Sequence, residues 1–118
     1  MTKRRSAVAA VIASAALALT GFVSVSTATA ASVQVGVILP DAASSARWET
    51  ADRKFLKAAF KKAKVTVDIQ NANGDKAKFA TIADQMLAKG VKVLIMAGLD
   101  SPSTAAIQAK AKKAGVKT

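Results

Sequence analysis

Val33, Val35, Val37, Ile38 and Leu39 crowd into seven residues with almost no polar interruption. Such a run predicts a strand covered on both faces. Pro40 cannot continue a central strand, so the chain turns there into a loop of small residues. A helix is then predicted over residues 46–64, with Ser44 or Ser45 as its N-cap and Glu49 in its first turn. Trp48, Ala51, Phe55, Ala59, Phe60 and Ala63 recur at helical spacing and form the expected inward stripe. No glycine closes this helix; Lys64 stands where a left-handed residue would be easiest.

Val65, Val67 and Ile69 alternate as a second strand, and residues 71–75 (NANGD) carry turn chemistry, with Asp75 as the next N-cap. Phe79, Ile82, Ala83, Met86 and Leu87 follow the i, i+3, i+4, i+7, i+8 pattern of an amphipathic helix, which Gly90 ends. The apolar run from Val93 to Ala97 reads as a central parallel strand. Ser101 as cap and Pro102 as first helical residue begin a third helix that Gly115 ends, and Val116-Lys117-Thr118 reads as the start of a fourth strand.

The order is β-α-β-α-β-α with short loops, so right-handed crossovers predict an α/β fold on a parallel sheet. A fourth strand without a body and an open sheet edge predict that the chain is incomplete. A core this small also predicts low stability for the isolated fragment.

The first 30 residues change the picture of where the protein acts. Lys3, Arg4 and Arg5, then the apolar stretch from Ala7 to Leu19, then Ala28-Thr29-Ala30, have the layout of a secretory signal cleaved before Ala31. The alternative is an uncleaved anchor, against which Thr20, Gly21, Ser24 and Ser26 interrupt the apolar run. Domains are therefore expected at 1–30 (signal peptide) and 31–118, in a periplasmic or extracellular protein. The chain has no Cys and no His, which excludes disulfides, a lipid-modified Cys, Ser-His and Cys-His catalysis and His-based zinc sites.

Of the formal net charge of +11, three units belong to the N-terminal basic cluster and +8 to the rest. The lysines spread along all three predicted helices without the interleaved aromatics that stack on bases, so a solvated surface is expected and no nucleic-acid partner.

Candidate chemistry lies where ligands bind in open α/β sheets, beyond the carboxyl ends of the strands. Residues 40–47, 71–74 and 98–101 bring Asp41, Ser44, Ser45, Arg47, Asn71, Asn73, Asp100 and Ser101 there, with Trp48 at the mouth. One guanidinium, one indole and mostly uncharged hydrogen-bonding groups suit a neutral polyhydroxylated ligand. Each has a plainer role as well: Trp48 as core, Asp41 as a loop cap, Asp100 as an alternative N-cap, Asn73-Gly74 as a turn. No GxGxxG or P-loop occurs, and nothing places two catalytic carboxylates together. No enzymatic activity and no cofactor are expected.

The segments VQVGVILPDAASSARWETADR and DIQNANGDKAKFATIADQMLAKGVKVLIM resemble type I periplasmic sugar-binding proteins of ABC importers, in particular the xylose-binding branch. The resemblance rests on Arg47, Trp48, Asp52 and Arg53 and on residues 71–75, and covers nearly all of the chain after the leader. It implies the N-terminal lobe of a two-lobed protein, with strand order 2-1-3, that closes on a monosaccharide such as D-xylose and presents it to a membrane permease. It also implies a monomer, with Arg47 and Trp48, and less directly Asp100, at the sugar. A secreted sensor that hands a sugar to a chemoreceptor or histidine kinase would share this lobe. The family's Asp-Arg pair after the fourth strand has no counterpart within these 118 residues.

Overall fold

Strand β1 (Val35–Leu39) lies at the centre of a three-stranded parallel sheet of order β2-β1-β3. The computed structural model describes residues 32–118, so the expected signal peptide at 1–30 lies outside the described residues. Strand β2 (Val67–Asn71) pairs Val35 with Val67 through Leu39 with Asn71, and β3 (Val93–Met96) pairs Val35 with Val93 through Ile38 with Met96. This is the predicted strand order. It brings the ends of β1 and β2 side by side, which later positions the site.

All five residues of β1 are buried, because helices cover both faces of the sheet. Val35, Val37 and Leu39 face helix α1 (Arg53–Lys62) and pack with Trp48, Leu56 and Phe60. Ile38 faces the other way, into a cluster with Phe79, Ile82 and Met86 of helix α2 (Lys76–Ala88) and Ile107 of helix α3 (Ser101–Lys113). Gly36 lets α2 approach: a Cβ there would sit 2.5 Å from Met86 Sδ and 3.1 Å from Leu94 Cδ1. Helix α2 matches its pattern, with Phe79, Ile82, Ala83 and Met86 buried and Asp75 accepting from the Ala77 and Lys78 N–H groups at 2.7 and 3.0 Å.

The first helix departs from expectation. It opens with a π-helical turn, Trp48–Asp52, closed by the Arg53 N–H donating to the Trp48 carbonyl. Each π bond spans one residue more than an α bond, so the inward phase slips by about one position. Leu56 therefore packs on β1 in place of Phe55, which is 67% exposed, and Ala59 and Ala63 are exposed as well. Neither Ser44 nor Ser45 caps the helix through its side chain. Lys64 does take the left-handed conformation, at φ 56°, and the Val65 N–H donates to the Phe60 carbonyl at 2.9 Å, the long bond of a Schellman-type stop.

At the other edge, Val93 forms a parallel bridge with Lys117, as the expected start of a fourth strand requires. Ile95 of β3 is 42% exposed. Helix α3 is capped by Asp100, not by Ser101 as expected; Ser101 becomes the first helical residue and Pro102 the second. Asp100 wins because its extended backbone (φ −154°, ψ 166°) aims its carboxylate at the Ser103 N–H, 2.8 Å away.

Candidate functional site

Two guanidinium–carboxylate pairs organise the chain just beyond β1. Arg47 Nε donates to Asp52 Oδ2 at 2.8 Å and Nη2 to Oδ1 at 3.2 Å, a bidentate fork. The π-helical turn brings these two residues, five apart, onto the same side. Arg47 also lies over the Trp48 ring, its guanidinium carbon 4.7 Å from the ring centroid. Trp48 is half-buried and packs on the β1 cluster, so it serves the core while carrying Arg47. Of the five guanidinium N–H donors of Arg47, the fork occupies two, leaving three for a ligand. Asp52 is held below its ordinary pKa chiefly by the Arg47 hydrogen bonds.

The second pair anchors the loop to β2. Arg53 grips both oxygens of Glu49, at 2.6 and 2.9 Å, and donates from Nη1 to the Ile69 carbonyl at 2.6 Å. Asn71 Nδ2 donates to Glu49 Oε1 at 2.6 Å and to the Asp41 carbonyl at 3.2 Å, while Asn71 Oδ1 accepts from the Asn73 N–H at 2.7 Å. Glu49 is kept well ionised by Arg53 first and Asn71 second. The Asn73-Gly74 turn is itself tied to β1, since the Gly74 N–H donates to the Pro40 carbonyl at 2.9 Å. Asp41 caps its own loop, accepting the Ser44 N–H at 2.8 Å and the Ser44 hydroxyl at 2.6 Å, which lowers its pKa.

Asp100 lies elsewhere in this arrangement. Its Oδ1 accepts from the Ser103 N–H and hydroxyl, and its Oδ2 pairs with Lys76 of α2. Lys76 first, and Ser103 second, hold its carboxyl far below the usual range. Asp100 lines an open groove of about 510 Å³ along the flank of α3 with Gly98, Ser101, Thr104, Ala105 and Gln108. Arg47 and Trp48 form a contact pair, but they are not part of that wall. Sequence reading missed the roles of Glu49, Asp52 and Arg53. The Glu49–Arg53 spacing of i, i+4 was the available signal for one of these pairs.

Residues 35–118 match the periplasmic binding protein domain. The chain belongs to the periplasmic binding protein family. As in that family, its described residues build a parallel α/β sheet that forms part of the N-terminal lobe. Among solved structures this periplasmic binding protein chain is similar to a carbohydrate transporter solute binding protein from Chloroflexus aurantiacus in complex with D-glucose. The two share 34% identity and a TM-score of 0.64 over 71% of this chain and 24% of that one. It is also similar to an ABC transporter solute binding protein from Clostridium phytofermentans with bound β-D-glucose, at 30% identity and a TM-score of 0.64, covering 70% and 25% of the two chains. The chain thus spans about a quarter of the length of the solved structures it matches. No curated protein matches it. Among the described residues no helix is long and apolar enough to cross a membrane.

Proposed function

We propose that this lobe belongs to the substrate-binding component of an ABC importer and captures a monosaccharide as an aldopyranose, D-xylose or a similar pentose, with D-glucose as the nearest hexose. The observation that carries the reading is the Arg47–Trp48 pair beyond the carboxyl end of β1: an exposed guanidinium, tethered by Asp52, with three unused donors and lying on an indole. Guanidinium donors bridge adjacent hydroxyls, and an indole face packs on the C–H side of a sugar ring. A ring stacking on the face that Arg47 covers takes the place of the guanidinium, which stays tethered by Asp52. Asp100 is a second-rank contact, because only one lone-pair position of its carboxylate stays without a donor.

The glucose held by both solved relatives supports the ligand class. D-xylose differs from D-glucose by the missing hydroxymethyl group, so the two present the same ring hydroxyls to an Arg–Trp pair. The protein carries out no chemistry on the sugar; it delivers it to a permease in the membrane, from the periplasm or cell envelope, as a monomer. In this reading residues 1–30 are a cleaved signal peptide and residues 31–118 the lobe. Titration of D-xylose, D-glucose and an amino acid against the protein and its Arg47→Ala and Trp48→Ala forms tests it. Saturable sugar binding that both substitutions abolish is expected; amino-acid binding, or sugar binding unchanged in Trp48→Ala, overturns it.

A further inference from the structure

Among the described residues no carboxylate pairs with the lysines of α1. All seven acidic residues lie among the described residues, and every one is engaged elsewhere. Glu49, Asp52, Asp68, Asp84 and Asp100 pair with Arg53, Arg47, Lys89, Lys110 and Lys76; Asp41 holds Ser44, and Asp75 caps α2. Lys54, Lys57, Lys61 and Lys62 are all exposed on α1, and Lys64 follows at its C-terminal stop. The helix dipole accounts for Lys61 and Lys62, which stand in the last turn. It does not account for Lys54 or Lys57, which stand before that last turn.

Within this ring of lysines the helix turns an apolar stripe to solvent. Phe55, Ala58 and Ala59 share one exposed flank by their i, i+3, i+4 spacing, and Lys62 closes it at i+7. The π-helical turn puts Phe55 there by rotating Leu56 onto β1 in its place. An exposed phenyl bordered by lysines has the make-up of an interfacial helix face. Lysines only, with no arginine fork turned outward, suit a fluid array of negative headgroups better than the fixed carboxylates of a protein groove.

We propose that the outer face of α1 docks on an anionic phospholipid surface, with Phe55 seated among the headgroups and Lys54, Lys57, Lys61 and Lys62 around it. Each lysine close to such a surface strengthens attachment by roughly fivefold. This surface would hold the protein beside the membrane whatever ligand the lobe carries.

These 118 residues hold no Cys, so Ala58→Cys labelled with an environment-sensitive fluorophore reports on this face alone in this chain. On phosphatidylcholine vesicles containing phosphatidylglycerol the probe emission rises; on pure phosphatidylcholine it does not. The rise vanishes in about 1 M salt, where the Debye length falls to ~3 Å. Lys54→Glu/Lys57→Glu lowers the apparent affinity by more than about tenfold. Phe55→Ser, which leaves the charge unchanged, reduces the rise while the circular dichroism spectrum is retained. A probe that stays silent while the chain sediments with phosphatidylglycerol vesicles overturns the proposal. So does an equal loss in Lys112→Glu/Lys113→Glu, which would mean that net charge alone is responsible.

Discussion

Arg47 and Asp52 meet in a two-pronged fork although they stand five positions apart, a spacing that one π-helical turn brings together. Arg47 also lies over the Trp48 ring, so the fork holds in place the pair proposed to meet the sugar. Asp52 has its pKa lowered from an ordinary 3.8 by Arg47, so the fork is intact at neutral pH and opens only as pH falls through that depressed value. Its stabilising contribution is complete above the unfolded value and lost below it. Trp48 is the only tryptophan, and its emission reads the contact directly. An acid titration should show a transition below pH 3.8 that Asp52→Asn lacks, with the variant resembling the acid form already at pH 7.

Asn71 joins the two loops through Glu49 and the Asp41 carbonyl, and Asn71→Ala should cost about 1–2 kcal/mol, since a hydrogen bond to a charged, partly buried acceptor is lost. Asn71→Asp should be worse at pH 7, with two carboxylates facing each other, and recover toward pH 4 as one of them protonates. Urea unfolding at the two pH values measures both effects.

A methyl group at Gly36 would collide with Met86 Sδ, and the fully buried Met86 and Leu94 have little room to give way. Gly36→Ala is expected to destabilise the domain by about 1–3 kcal/mol. Combining it with Met86→Ala should recover part of that loss, a coupling that a double-mutant cycle reads out.

Lys64 bears a left-handed backbone that glycine adopts without strain. Lys64→Gly should stabilise the helix end by about 0.5–1 kcal/mol, the relief of strain less the entropy of the freer unfolded chain. In a domain of this size that is a rise of a few degrees in Tm.

Much of this was legible in the residues themselves. The α2 pattern, the Asp75 cap and the 2-1-3 strand order follow from local spacing, a turn sequence and a family resemblance, and the structure reproduces all three. Leu56 was invisible as a core residue because a 3.6-residue period assumes an unbroken α-helix, and the π-helical turn breaks it. Asp100 displaced Ser101 as cap because the choice depends on backbone angles that neither residue type dictates. The Glu49–Asn71 bond spans 22 residues and exists only because the parallel register sets Leu39 beside Asn71. Pairwise chemistry of that range is written in the sheet, not in any local pattern.

The central claim is that Arg47 and Trp48 meet a sugar, and the indole N–H resonance of Trp48 in a two-dimensional NMR titration tests it most directly. D-xylose or D-glucose should shift that resonance, together with the Arg47 side-chain Nε–H, in a saturable way, while glycerol at the same concentration leaves both in place. No saturable shift with either sugar, or an equal shift with glycerol, would contradict the account.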